Sequence, residues 1–326
     1  MELDSLDRKL LAELDNNARQ TFSELGRKLR VGSDLVSYRY RRLEGEGIIR
    51  GTSLILNPAA LGVDIVKAYL KLSNRNRDRK RLLKQLMEGD EPCWMASVFG
   101  SWDLAYSIYA DSADDYQRKI RTVFGSNLEL IREMKTFQLI EQFKDSYQFE
   151  SGRSRGATYF GPSAERIELN DLDREILFLL GKNSRSSLVE IGNSLAIAPN
   201  VAGYRLQQLE KKGVIAGYVL NVDHERLGLL RFKVAVRTPL LSASDEKLIV
   251  AYLRKLPQIF VVVRQLGAWS LEFDVLVSSI EGLTKIIDEL REEFPETIED
   301  LEFVVYRPDP LFRTPKVKRF ASSASN

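Results

Sequence analysis

Apolar side chains recur at helical spacing in three short segments near the N-terminus. In the first segment Leu6, Leu10 and Leu14 predict a helix, and Asp4 or Ser5 can cap its start. A cap followed by one apolar face is typical of a short helix that packs against a core.

Two further helices follow, separated by a tight turn. One apolar face runs from Phe22 to Leu29, with Thr21 as the cap, and another runs from Val36 to Leu43 before the glycine-rich EGEG. The next stretch, IIRGTSLILN, is typical of a small β-ribbon. Three helices with a turn between the last two, followed by a ribbon, indicate a winged helix-turn-helix.

The pattern changes from helical spacing to alternation after this ribbon. VKAYLKLS at 66–73 alternates as a strand does, and DRKRLLKQLMEG at 78–89 is an amphipathic helix. The strands CWMASVFG and DLAYSIYA, the helix DDYQRKIRTVF and a last strand in ELIREMKTFQLIEQF follow. The order β-α-β-β-α-β predicts a ferredoxin-like domain.

The whole pattern occurs twice in the chain. With an offset of 166, LDSLDRKLL at 3–11 aligns with LNDLDREIL at 169–177. With an offset of 167, FGSWDL at 99–104 aligns with LGAWSL at 266–271. These matches indicate a tandem duplication of one two-domain unit.

The duplication predicts an α+β protein with two winged helix-turn-helix domains, each followed by a ferredoxin-like domain. The glycine- and serine-rich stretch between the copies is typical of a linker, and the C-terminus is expected to be flexible. The predicted boundaries are winged helix 1 at 1–62, ferredoxin-like domain 1 at 63–147, a linker at 148–168, winged helix 2 at 169–228, ferredoxin-like domain 2 at 229–308 and a basic flexible tail at 309–326.

Composition limits the classes of function. The 326 residues carry a net charge of only +2, so the choice of partner depends on where charges lie. A single cysteine, Cys93, excludes an internal disulfide framework and favours the cytoplasm. The N-terminus does not resemble a secretion signal, and the apolar runs are too short to span a membrane. We expect a soluble cytoplasmic protein without a metal site or a cofactor.

These motifs together resemble the Lrp/AsnC family of transcription regulators. The resemblance rests on the LDxxLLxxL segment, a helix-turn-helix ending in RRLExxGII, the ribbon, and a Gly-x-Trp-Asp turn between the middle strands of the ferredoxin-like domain. It covers both halves of the chain. It implies DNA binding by the winged helices and dimerisation through the ferredoxin-like domain, which that family calls a RAM domain.

DNA recognition requires a helix that enters the major groove and cations that meet phosphates. Residues near the start of the third helix are predicted to reach base edges, and arginines and a lysine around them to meet phosphates. The predicted base readers of copy one are Leu35, Ser37, Tyr38 and Arg39, and its phosphate contacts are Lys28, Arg41, Arg42 and Arg50. In copy two the predicted contacts are Asn200, Tyr204 and Arg205.

The two copies differ in local charge. Residues 27–50 hold seven Lys or Arg and three Asp or Glu, a net +4, whereas the matching residues 193–216 hold three and one, a net +2. Arg41 and Arg42 are replaced by Gln207 and Gln208. Copy one is therefore predicted to be the stronger DNA reader.

The Gly-x-Trp-Asp turn, residues 100–103, is a candidate effector site. The family resemblance implies that an amino acid binds near such turns, which would place Gly100, Trp102 and Asp103 at the site. A hairpin needs glycine and polar residues whatever it binds, and the two tryptophans Trp102 and Trp269 also suit a core or an interface.

Pairing of the two ferredoxin-like domains within one chain would produce a covalent pseudo-dimer with two unequal DNA-binding heads. Further association into a homodimer or a higher oligomer remains open at this stage. Two alternatives also remain: a sirohaem decarboxylase-like enzyme on the same two-domain plan, and an interaction module that does not bind DNA. The only histidine, His224, falls after the ribbon and is expected at the surface, which disfavours the enzyme.

Overall fold

The computed structural model describes residues 3–74, 76–89, 92–147, 157–162, 164–306 and 311–312. In copy one the elements are α1 Ser5–Asn16, α2 Phe22–Leu29, α3 Ser33–Gly45, β1 Ile49–Leu56, α4 Pro58–Leu61, β2 Asp64–Leu72, α5 Asn76–Glu88, β3 Trp94–Gly100, β4 Leu104–Ala110, α6 Ala113–Phe124 and β5 Ile131–Asp145.

A short strand, β6 Ala157–Phe160, lies between the copies. In copy two the elements are α7 Asp171–Lys182, α8 Leu188–Leu195, α9 Pro199–Lys211, β7 Ile215–Val222, β8 Leu230–Arg237, α10 Ala243–Lys255, β9 Ile259–Leu266, β10 Leu271–Val277, α11 Ile280–Glu293 and β11 Asp300–Tyr306, followed by β12 Leu311–Phe312. The predicted three helices and the predicted β-α-β-β-α-β order are confirmed in both copies.

The first two helices of each copy begin with the same capping device. Asp4 and Asp7 each accept a hydrogen bond from the other's backbone N–H at the start of α1, and Thr21 and Glu24 do so at α2. Copy two repeats both capping boxes at α7 and α8. Such caps satisfy N–H groups that have no partner within a helix, so the local sequence fixes where each helix starts.

The ribbon differs from the sequence interpretation. Each copy supplies a single strand, and β1 pairs with β7 antiparallel, so the two copies build one shared ribbon instead of one each. At its centre Ser53 lies opposite Val219, and Leu54 lies opposite Tyr218. Each head completes its fold with a strand from the other copy.

The two winged helices also share one hydrophobic core. Leu10 and Leu14 of α1 belong to the same buried cluster as Ile176 and Leu180 of α7. The backbone N–H of Ala18 donates to the carbonyl of Tyr218 at 3.0 Å, across the two copies. The boundaries predicted for the two heads therefore delimit sequence repeats that pack as one body.

The strands of both ferredoxin-like domains form one antiparallel sheet. The order is β11-β8-β10-β9-β5-β2-β4-β3, and β11 also pairs with β3, so the sheet closes on itself. The two domains meet along β5 with β9 and along β3 with β11. The strand registers show that the two ferredoxin-like domains pair within one chain, as predicted.

Helices cover the outside of this closed sheet. The helices α5 and α6 pack on the copy-one strands through Leu82, Ile120 and Phe124, whereas α10 and α11 pack on the copy-two strands. Strand residues that alternate with the helix-facing ones point to the inside of the closed sheet. There Tyr69, Phe137 and the two tryptophans Trp102 and Trp269 form a further buried cluster. The strands β4 and β10 are buried along their whole length, whereas much of β5 and β11 is exposed or half-buried.

Two segments differ from their predicted roles. Within the predicted linker, β6 pairs with β5 and so adds a strand to the sheet. Within the predicted tail, Leu311 and Phe312 pair with Met95 and Trp94 of β3. The rest of the tail, 309–310 and 313–326, lies outside the described residues. In the part of the chain that the structure describes, no helix has both the length and the apolarity to cross a membrane.

Candidate DNA-binding interface

The third helix of copy one presents a narrow outward face. Val36, Tyr40 and Leu43 are buried, as their spacing predicted. Leu35 and Tyr38 are 39% and 63% exposed. An exposed leucine and tyrosine on a helix that follows a tight turn are suited to contact base edges in a groove.

Arg41 is exposed on this outward face. It makes no ion pair with any residue in the described ranges, so its guanidinium is available to solvent. A free guanidinium has the charge that a phosphate contact requires, and such a contact by Arg41 stays a prediction.

Arg39 and Arg42 point back towards the first helix. Arg39 donates to the carboxylate of Asp7 at 3.2 Å and to Asp4, and Arg42 also donates to Asp7. Asp7 is buried. The backbone N–H of Asp7, together with the Arg39 guanidinium, lowers the pKa of Asp4. These two predicted DNA contacts therefore hold α3 against α1.

The same contact recurs in copy two. Arg205 lies 3.7 Å from Asp173, and the two residues occupy the positions of Arg39 and Asp7. Because both copies keep this arginine–aspartate pair, we assign it to packing of the helix-turn-helix. A DNA contact by Arg39 or Arg205 stays a prediction.

The remaining cations predicted in copy one lie beside the helix and also have protein partners. Lys28 donates to Glu13 at 3.1 Å and to Gln20 at 2.5 Å. Arg50, on the shared ribbon, donates to Asp223 of copy two at 2.5 Å. Ser37 is half-buried.

The outward face of α9 in copy two is equivalent in shape but lacks the cation. Asn200 and Tyr204 are exposed, as is Val201, which occupies the position of Leu35. Gln207 is exposed where copy one has Arg41. Sequence reasoning missed Val201, although the offset of 166 would have found it from Leu35, and it identified Gln207 as the residue that replaces Arg41.

The predicted effector turn is occupied by contacts within the fold. The indole N–H groups of Trp102 and Trp269 donate to the carboxylate of Glu302 at 3.4 and 3.2 Å. The ammonium of Lys135 lies 5.1 and 4.9 Å from the two ring centres. The tryptophans thus form an interface between the two domains, as one of the two sequence interpretations held.

The other residues of this turn also serve the sheet. The carboxylate of Asp103 accepts from the backbone N–H of Leu72 at 2.8 Å and from Arg79 at 2.5 Å. Gly100 has a φ of 131° and lies against the backbone of β11, where a Cβ atom would be 3.1 Å from the carbonyl oxygen of Phe303. An amino-acid site at Gly100, Trp102 and Asp103 stays a prediction.

The expectation for His224 is wrong. The side chain is buried, with its ring centre 5.9 Å from that of Phe260, because the shared ribbon folds over the open end of the sheet. It lines a cavity of about 390 Å³ between the ribbon and the strands. The sequence offered no signal for this, since the ribbon's position depends on the pairing of the two copies.

Comparison with known proteins identifies the first domain of each copy as a helix-turn-helix domain. An AsnC-type helix-turn-helix domain matches residues 3–44, and a winged helix-turn-helix DNA-binding domain matches residues 169–216. Both heads are thus helix-turn-helix domains, and the first is of the AsnC type. The chain belongs to the Lrp/AsnC family.

Two relatives support the family at the level of sequence. The HTH-type transcriptional regulator Ptr1 of Methanocaldococcus jannaschii is 37% identical over 101 residues, which cover 31% of this chain and 68% of the relative. The leucine-responsive regulatory protein of Rhizobium meliloti is 30% identical over 156 residues, covering 46% of this chain and 97% of the relative. Each match covers less than half of this chain, as is expected when the chain holds two copies of one unit.

A solved structure resembles the whole chain. The sirohaem decarboxylase NirDL, in complex with an iron-uroporphyrin III analogue, has a TM-score of 0.63 and covers 97% of each chain. Its sequence identity is 11%, so the likeness concerns the fold. The arrangement of two fused units is therefore shared with another protein.

Proposed function

We propose that this chain is a transcription regulator that reads double-stranded DNA as a covalent pseudo-dimer, with copy one as its principal reader. The observation that carries this proposal is the exposed Arg41 on α3, whose equivalent position on α9 of copy two is the exposed Gln207. The rest of the two outward faces is similar, with Leu35 and Val201, and Tyr38 and Tyr204, in equivalent places. The heads have one shape and different charge.

Unequal heads suit an asymmetric site on DNA. A homodimer carries two identical heads, so its operator is palindromic. In a fused pair each head is always joined to the other copy and not to a second copy of itself. The two heads can therefore carry different residues at their DNA-facing positions. The base contacts proposed are Leu35, Tyr38, Asn200, Val201 and Tyr204, with Arg41 on a phosphate.

The test selects binding sites from a randomised double-stranded library and footprints the selected DNA. Arg41→Gln gives copy one the residue of copy two, and Gln207→Arg makes the reverse change. Arg41→Gln is expected to weaken binding and to lower the slope of log K against log salt by about 0.9, since one phosphate contact is lost. Gln207→Arg is expected to raise that slope and to extend protection over the weaker half-site.

The matched control is Arg291→Gln, which changes an exposed arginine on α11 of the second ferredoxin-like domain, outside both recognition helices. It should leave affinity and slope unchanged. A wild-type footprint that is symmetric, or an Arg41→Gln variant that binds with the wild-type slope, would contradict the proposal. Failure of wild type to select any sequence would favour the interaction module.

A second candidate is an enzyme of the sirohaem decarboxylase type. The whole-chain likeness to NirDL favours it at the level of fold. The sequence relatives described above are named as transcription regulators, which supports a non-enzymatic role in the cytoplasm. Addition of sirohaem decides between them: a shifted Soret band with loss of carbon dioxide would establish the enzyme.

A further inference from the structure

The cavity of about 390 Å³ lies where the shared ribbon covers the open end of the closed sheet. Its walls come from Leu54 and Leu56 of β1, Val219 of β7 and the inward faces of the strands of both copies. Its volume is in the range typical of small-molecule sites. The Gly-x-Trp-Asp turn does not contribute to it.

One part of the cavity wall is aromatic. Trp94, Tyr109, Phe160 and Phe260 all line it, and they come from β3, β4, β6 and β9. Flat rings on several sides favour a ligand with an aromatic or compact apolar body.

Another part of the wall carries cations. Lys67 and Lys233 both line the cavity, and both are buried. Their ammonium groups share the carboxylate of Glu272, with Lys233 at 3.5 Å, and Lys233 also lies 2.5 Å from Asp274. Glu272 does not line the cavity, whereas Asp274, which pairs with Lys233, does.

Lys67 has hydrogen-bonding capacity to spare. Within the described residues its ammonium makes one hydrogen bond, to Glu272, although an ammonium carries three donors. Burial and the neighbouring Lys233 lower the pKa of Lys67, and Glu272 opposes that effect. A second anion beside Lys67 would complete its hydrogen bonds and offset the cost of burying its charge.

We propose that this cavity binds an aromatic monocarboxylate, with its ring among Trp94, Tyr109, Phe160 and Phe260 and its carboxylate on Lys67. The proposal goes beyond DNA reading and does not rest on it. The ligand would contact the ribbon of the winged helices and the sheet at once. Binding is therefore measured without DNA, and the two proposals fail separately.

The test titrates the full chain by calorimetry with phenylacetate, phenylacetamide and L-phenylalanine. Phenylacetate is expected to bind one molecule per chain and at least about tenfold more tightly than either of the others. The amide removes the negative charge, and phenylalanine adds an ammonium group next to its carboxylate, which Lys67 repels. Equal binding of acid and amide, preference for phenylalanine, or no heat with phenylacetate at millimolar concentration would overturn the proposal.

Two variants locate the site. Lys67→Met is expected to weaken phenylacetate at least about tenfold, and it leaves Glu272 bonded to Lys233 and to Gln265. Val261→Phe is expected to weaken it by filling the cavity. Thermal melts establish whether each variant folds. If Lys67→Met does not fold, the effect of Val261→Phe on affinity decides whether the ligand binds in this cavity.

The control is Lys135→Met, which removes a lysine near Trp102 and Trp269, outside this cavity. Its phenylacetate affinity should equal that of wild type. Unchanged affinity in both site variants would overturn the assignment to this cavity. Tight binding of sirohaem with no binding of phenylacetate would overturn the ligand class.

Discussion

Arg39 and Arg205 show how a duplicated sequence separates packing residues from contact residues. Both are arginine, both lie at the same position of the third helix, and both face an aspartate of the first helix. Arg41 and Gln207 differ, and both are exposed. Within this chain the retained cation holds the helices together, and the divergent position faces outward.

Part of this distinction was available from the sequence. At about 100° per residue, Arg39 flanks the buried stripe of Val36, Tyr40 and Leu43, whereas Arg41 lies on the opposite side. The helix, its buried stripe and the outward position of Arg41 all follow from this spacing. The spacing does not identify Asp7 as the partner, because a contact 32 residues away depends on how α1 crosses α3.

The first residue-scale prediction concerns Asp7. Asp7→Asn removes the charge that binds Arg39 and Arg42 while it keeps an acceptor for the capping bond. The free energy of unfolding is expected to fall by about 2 kcal/mol, because hydrogen bonds to a buried charged group are lost. Denaturant titration measures this change.

Asp173→Asn is the matched control, since its one described ion pair is longer, 3.7 Å to Arg205. It should cost less than half as much. Equal losses in the two variants would mean that the Asp7 cluster adds nothing beyond the pair that the two copies share.

Among the elements, the ribbon shows what alternation alone leaves undetermined. The pattern of residues 49–56 predicts a strand, and a strand is what forms. The partner is not encoded in the alternation, because a side-chain period of two fits any antiparallel neighbour. The strand of the other copy became the partner because the paired domains bring the two heads together.

The strands of the sheet hold a similar lesson about burial. In VKAYLKLS, Lys67 falls on the polar side of an alternating strand, which normally faces water. In the fold that side faces the interior of the closed sheet, where Lys67 pairs with Glu272 from the other copy. The alternation was readable from sequence, and the burial of its polar side follows from the second copy.

The acid sensitivity of the protein is expected to arise partly in this interior. Burial opposes ionisation of Asp274, yet Lys233 and Arg231 lower its pKa to about 2. A pKa below the unfolded value stabilises the fold above about pH 4, and that contribution is lost as the pH falls towards 2. For Asp274 it amounts to about 2 kcal/mol.

Asp274→Asn should therefore reduce the fall in unfolding free energy between pH 5 and pH 2 by about that amount. Denaturant titrations across this range measure the difference. Asp288→Asn, at an exposed aspartate on α11, is the control and should follow wild type. If the two variants lose stability in parallel with pH, Asp274 has no special part in acid unfolding.

At the scale of the whole molecule, the two copies complete each other. The helix α1 packs on β7 and α7 packs on β1, so each head rests on the other copy's strand. The offsets of 166 and 167 predicted two units and a pseudo-dimer from sequence alone. They did not predict one shared head core, because a repeat describes likeness along the chain and not contact.

If the two copies are expressed as separate fragments, neither fragment is therefore expected to fold as a monomer. Fragment 1–150 expressed alone is expected as an aggregate or a self-paired dimer, since β1 lacks β7 and the shared core lacks its second half. Co-expression with 151–326 should give a one-to-one complex with the circular dichroism of the intact chain. Size-exclusion chromatography with light scattering measures both. A stable monomer of 1–150 would contradict this view of the core.

The shared ribbon also bears on how the gene can change over time. After most duplications, a copy that loses its task is free to drift and decay. Here mutations that unfold α7, α8 or β7 also remove support from the copy that carries Arg41. Purifying selection on the first head therefore extends to the framework of the second, while exposed positions such as Gln207 are left to diverge. The second head is therefore expected to keep its fold while its exposed residues change and acquire new contacts.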